Sequence, residues 1–170
     1  SILQGVKLFT PRKYQKFILN FLQEAKIKVG YWLRGQLLIM IIIGLLDYLA
    51  LLILGVPFAL LLGVLGGILE IVPYLGPNLA ALPAVLLAFS ISPALAALVI
   101  LAYFLIQQFE ADFLTPKVMQ KVAGLNPIIS IVAIMVGYKL LGIAGGLLAI
   151  PTTVLLILFI KHWLAFRNKI

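Results

Sequence analysis

Residues 36–54 read QLLIMIIIGLLDYLALLIL. As an α-helix this stretch is about 28 Å long, close to the ~30 Å hydrocarbon core of a bilayer. It carries one charged residue, Asp47, near its middle. Gly55-Val56-Pro57 ends it, and Tyr31, Trp32 and Arg34 precede it as the interfacial belt that anchors a spanning helix. The whole chain has the same character: of its 170 residues 64% are hydrophobic and 11% charged, with a mean hydropathy of +1.22. Soluble domains are ~45–50% apolar and ~25% charged, so a water-soluble core could not conceal this much apolar surface behind so few charges.

Upstream, residues 11–28 predict an amphipathic interfacial helix. Thr10 is its N-cap, Pro11 its first position, and Tyr14, Phe17, Ile18, Phe21, Leu22 and Ala25 recur at i, i+3, i+4 and i+7. Its lysines suit anionic headgroups. Downstream, further apolar runs cover residues 58–72, 78–90, 93–109, 127–141 and 142–163. The spacing therefore predicts an all-α integral membrane protein with about six hydrophobic helical segments: an interfacial region 1–34 and a transmembrane domain 35–170. Several runs are short and broken by Gly or Pro. Such runs belong to broken or re-entrant helices, and a re-entrant hairpin competes with six full crossings.

Thirteen basic residues against five acidic ones give a net charge of +8. The basic residues collect before the first long run and after the last, which is the positive-inside pattern for cytoplasmic N- and C-termini, with the bilayer as partner. No basic, aromatic-interleaved surface points to nucleic acid. With no cysteine, one histidine and no nucleotide, zinc or nucleophile motif, the sequence supports neither an enzyme nor a cofactor or metal site. Gly63 with Gly67, and Gly142 with Gly146, form G-x-x-x-G pairs within an internal echo, LGVLGGILEIVP against LGIAGGLLAIP. Such pairs allow close helix packing, and a homo-oligomer or a non-transporting membrane scaffold would use them.

The acidic residues carry the chemistry. A charge at the bilayer centre costs roughly 2.5–3.5 kcal/mol on insertion scales, so Asp47 within its run marks an ion or proton role or a hydrogen-bonded helix contact. Glu70 stands before the break Pro73-Tyr74-Leu75-Gly76-Pro77-Asn78. There Pro73 should free the carbonyl of Leu69, and the helix starting near Asn78 should offer N–H groups to the same gap. Gln107, Gln108, Glu110 and Asp112 end the fourth run, either as a cytoplasmic rim paired with Lys117 or Lys121 or as the entrance to a pathway. His162 reads as an interfacial anchor.

These motifs converge. Tyr31-Trp32-Leu33-Arg34-Gly35-Gln36, Leu54-Gly55-Val56-Pro57-Phe58 and Glu70-Ile71-Val72-Pro73-Tyr74-Leu75-Gly76-Pro77 resemble the AI-2E transporter family. So do Gln107-Gln108-Phe109-Glu110, Leu114-Thr115-Pro116-Lys117-Val118-Met119, Gly124-Leu125-Asn126-Pro127 and the stretch from Gly142 to Pro151. The order is preserved along nearly the whole chain, and family members begin with further membrane helices, so the chain resembles the family's C-terminal half. The resemblance implies a secondary carrier in a bacterial inner membrane, exporting a small polar solute such as autoinducer-2, or exchanging sodium or lithium for protons. In the first case the acids would accept hydrogen bonds from the solute together with Tyr74, Asn78, Gln107 and Gln108. In the second, Asp47 or Glu70 would be a titrating ligand.

Overall fold

The computed structural model describes residues 12–72, 75–119 and 127–167. Helices there are α1 (Arg12–Ile53), α2 (Ala59–Leu69), α3 (Leu75–Ile91), α4 (Pro93–Phe109), a π-helical turn (Glu110–Leu114), α5 (Thr115–Met119) and α6 (Pro127–Arg167). The chain is thus an all-α membrane protein, and no strand occurs among the described residues.

α1 joins what the sequence divides. The amphipathic stretch and the first spanning run form one helix of 42 residues, so the boundary at 34/35 falls inside a helix. Gly30 and Gly35 weaken a helix by only about 1 kcal/mol each, and no proline interrupts it. The belt also divides: Tyr31 and Arg34 are exposed, whereas Trp32 is buried against α6 with Ala25, Ile134, Ile150, Val154 and Leu158. The same contact continues in edge-to-face rings, Phe17 and Phe21 each 5.9 Å from Phe159. His162 anchors it, its Nε2 lying 2.8 Å from Glu24 Oε2. Lys28 and Lys161 approach the same carboxylate at 3.6 and 4.0 Å.

A turn with Gly55 at φ 72 and Phe58 at φ 59 reverses the chain after α1. α2 then packs back on α1 along a glycine seam. A Cβ on Gly63 would lie 2.8 Å from the Gly44 carbonyl oxygen, and one on Gly67 would lie 2.7 Å from that of Met40. With 11 residues, α2 is about 16 Å long, half the hydrocarbon thickness. It cannot cross unaided and forms a hairpin with the 17-residue α3. Ala80, Ala84 and Ala88 on α3 and Ala96, Val99 and Tyr103 on α4 complete the core with Leu51 and Leu62.

α4 has the bounds that the sequence predicts, because Ser92 caps it. Its hydroxyl accepts from the Leu95 N–H at 3.1 Å, and Pro93 takes the first position, where no N–H is needed. The segment between the runs 93–109 and 127–141 begins as the π turn and α5. Its residues 120–126 lie outside the described residues. α6 breaks at Gly142, with φ 62 and ψ −142. On a straight helix Gly137 and Gly145 would be about 12 Å apart. Instead each presses on the other's carbonyl, so the arms 127–141 and 143–167 fold back on one another. Gly142 itself turns the chain and packs on nothing, and a Cβ on Gly146 would meet only Val72, at 3.5 Å. Close packing in this hairpin thus falls to Gly137 and Gly145.

Candidate functional site

α1, α2 and α4 bring four polar side chains into the apolar interior. Asp47 is 2% exposed, Glu70 0%, Gln36 2% and Tyr103 4%. Asp47 enters because α1 must approach α2 closely at Gly44, which turns the next helical position onto Gly66. The Asp47 carboxylate lies directly against the Gly66 Cα, where any β-carbon would stand. Tyr103 on α4 lies close enough to feel this carboxylate's charge. Glu110, half-buried at the start of the π turn, faces both Glu70 and Asp47. Its Oε1 accepts from Thr115 Oγ1 at 3.3 Å, a contact spanning five residues. A π turn places residue i+5 beside residue i, which an α-helix does not.

Few partners satisfy these groups. Gln36 Nε2 donates to the Glu70 carbonyl at 2.7 Å. Gln36 Oε1, Asp47 Oδ1, both carboxyl oxygens of Glu70 and Tyr103 Oη are buried without a hydrogen-bond partner. Glu110 reaches towards Glu70 without closing a bond of good geometry. An unpaired polar group buried this way costs about 1–3 kcal/mol, more when charged. Except for the Tyr103 hydroxyl, these atoms only accept, so the site lacks donors: protons, hydroxyl groups or a cation. Among the described residues no three His, Cys, Asp or Glu side chains converge on one point to hold a metal ion. Asp47, Glu70 and Glu110 lie close enough to influence one another electrostatically, a grouping that could pass protons or accept a polar solute.

The proline break differs from expectation. The Leu69 carbonyl is not free: the Val72 N–H donates to it at 3.1 Å, and Gly76 packs on it. One residue on, the Glu70 carbonyl accepts from Gln36. Because Gln36 opens the apolar run of α1, the break sits towards that edge of the run, away from its middle. Gly76 and Pro77 are buried at the start of α3, whereas Asn78 is exposed. Pro73 and Tyr74 lie outside the described residues. Gln107 is half-buried, and Gln108 and Asp112 are exposed. The four polar residues at the end of α4 and in the π turn therefore part company: Glu110 turns inward, and among the described residues neither it nor Asp112 pairs with Lys117. Sequence reasoning misses Gln36 and Tyr103. A polar residue opening an apolar run is the signal that marks Gln36; a tyrosine inside such a run marks nothing by itself.

A family profile described as AI-2E family transporter matches residues 1–165. A relative named YrrI, from Bacillus subtilis (strain 168), is 32% identical over 160 residues, covering 94% of this chain and 45% of its own. YueF of the same organism is 34% identical, over 83% of this chain and 38% of its own. The AI-2 transport protein TqsA of Escherichia coli (strain K12) is 30% identical, over 85% of this chain and 44% of its own. The chain spans less than half the length of these relatives. No solved structure matches it.

Proposed function

The chain belongs to the AI-2E transporter family, and on that premise we propose that it is part of a proton-coupled secondary carrier exporting a small polar solute of the autoinducer-2 type. One observation carries this reading: five polar atoms, on Gln36, Asp47, Glu70 and Tyr103, are buried among α1, the end of α2 and α4 with no hydrogen-bond partner. A proton on one of the facing carboxyls of Glu70 and Glu110 can be donated to the other. Asp47 Oδ1 can accept from a solute hydroxyl, and the Tyr103 O–H can donate to a solute oxygen. The name of TqsA supports the choice of solute.

The test is flux in proteoliposomes with an entrapped pH-reporting dye. An imposed autoinducer-2 gradient should drive proton movement that Glu70→Gln and Asp47→Asn each reduce at least tenfold. Proton movement driven by sodium and not by autoinducer-2 would reassign the solute to a monovalent cation. Flux unchanged by both substitutions removes the reading, and absence of any flux while cells keep the protein's biological effect favours a scaffold.

A further inference from the structure

We propose that Gln36 is the positioning residue of the buried carboxyl site, its amide fastening the tip of the α2–α3 hairpin to α1 and so holding Glu70 in line with Asp47 and Glu110. The proposal rests on the reading of that site given above. α2 ends in a frayed turn whose N–H groups bond inward, Glu70 to Gly66, Ile71 to Ile68 and Val72 to Leu69. The hydrogen bond found at the Glu70 carbonyl comes from Gln36 Nε2, 34 residues earlier in the chain, at 2.7 Å and fully buried. It fixes the main chain of the residue whose carboxyl faces the other acids.

The chemistry of the amide suits this place. A lysine or arginine could also donate to the carbonyl, but its charge would pair with the Glu70 carboxylate and quench it. A glutamine donates without neutralising anything. Its Oε1, buried and unpartnered, adds a neutral acceptor about an amide's width from the Glu70 main chain. Arg34, two residues earlier, is exposed, which leaves the acids unneutralised from that side.

The chain has no cysteine, so a single Val72→Cys reports on the tip, where Val72 is buried. Its labelling by a water-soluble maleimide is expected to run about five- to tenfold faster when Gln36→Met is added, the loss of one buried hydrogen bond. Gln36→Glu separates a tether from general damage, because a carboxyl donates to the carbonyl only when protonated. Relative to Val72→Cys alone at each pH, its labelling should stay within about twofold at pH 5 and rise towards that of Gln36→Met as increasing pH removes the proton from the buried carboxyl. Proton flux under an autoinducer-2 gradient should follow the same pattern. Labelling indifferent to Gln36→Met overturns the tether. Flux that depends on Glu70 but not on Gln36 overturns the positioning role alone, whereas flux indifferent to Glu70→Gln removes the site and leaves only a tether.

Discussion

Gly66→Ala is the sharpest probe of the site, because the new methyl group and the Asp47 carboxylate compete for one volume. The added Cβ would overlap Asp47 Oδ2 and stand 3.3 Å from Asp47 Cγ, with Ala80 Cβ next at 3.7 Å. Overpacking of this kind costs ~1–3 kcal/mol, and alanine's helix propensity returns ~1 kcal/mol relative to glycine. The net loss is therefore about 0–2 kcal/mol if Asp47 stays, and if Asp47 swings away flux is lost. With Asp47→Ala already made, only the ordinary contact to Ala80 remains, and the same substitution should stabilise by about 1 kcal/mol. The two changes are thus coupled by about 1–3 kcal/mol, each kcal/mol corresponding to some 2–4 °C of Tm in a chain of this size. Thermal unfolding of the four proteins in detergent measures the cycle, and proteoliposome flux is read beside it. Effects that add to within ~0.5 kcal/mol would refute the reasoning, since Asp47 would then not occupy the space that Gly66 leaves.

Gly142→Ala should lower stability by at least ~1–3 kcal/mol, through its φ of 62 and ψ of −142 alone, since nothing lies within 4 Å of the new Cβ. Gly30→Ala, mid-helix and equally open, should instead raise it by ~0.5–1 kcal/mol; opposite shifts in Tm check the pair. Ser92→Ala removes the cap of α4 and should cost ~1 kcal/mol in the same assay. Glu110→Gln should cut proton flux severalfold, whereas Asp112→Asn, exposed on the same turn, should leave it within about twofold; equal effects would mean that the turn does not sort the two acids.

What the sequence made legible were features set by local chemistry. Ser92-Pro93 states a helix start in its own residue types, and α4 begins there. Gly142 marks a break between two apolar runs because only glycine adopts its φ and ψ without strain. Asp47 and Glu70 stand out because charge is expensive within apolar runs. The missed features depend on what the chain meets after folding. Gln36 looks like the polar edge of a hydrophobic run until α2 returns beside it, and Tyr103 is one aromatic residue among many until α4 buries it within reach of the Asp47 charge. The prediction that Pro73 frees the Leu69 carbonyl assumed a regular helix up to the proline. α2 ends earlier and its last turn tightens, so the Leu69 carbonyl is bonded by the Val72 N–H while Gln36 reaches the Glu70 carbonyl. The continuity of α1 was hidden for a related reason: a change from amphipathic to wholly apolar pattern marks a change of solvent, which a helix can cross without a break.

The placement of the acids argues against a purely architectural role. The glycine seam of Gly44, Gly63 and Gly67 already brings α1 and α2 into contact, and alanine or serine opposite Gly66 would pack there at no electrostatic cost. Asp47 adds a buried carboxyl whose Oδ1 gains no hydrogen bond, and Glu70 adds another with neither oxygen partnered, so both subtract from stability in the state described. Helix packing therefore gives no account of why they are acids. A site that alternately takes up and releases protons or a hydroxyl-bearing solute does give one, because its acceptors are satisfied when loaded and must be left unsatisfied when the load departs. On that view the hairpin tip serves the acids: α2 is too short to cross, ends beside Gln36, and thereby delivers Glu70 to an interior that a full crossing would have carried it past.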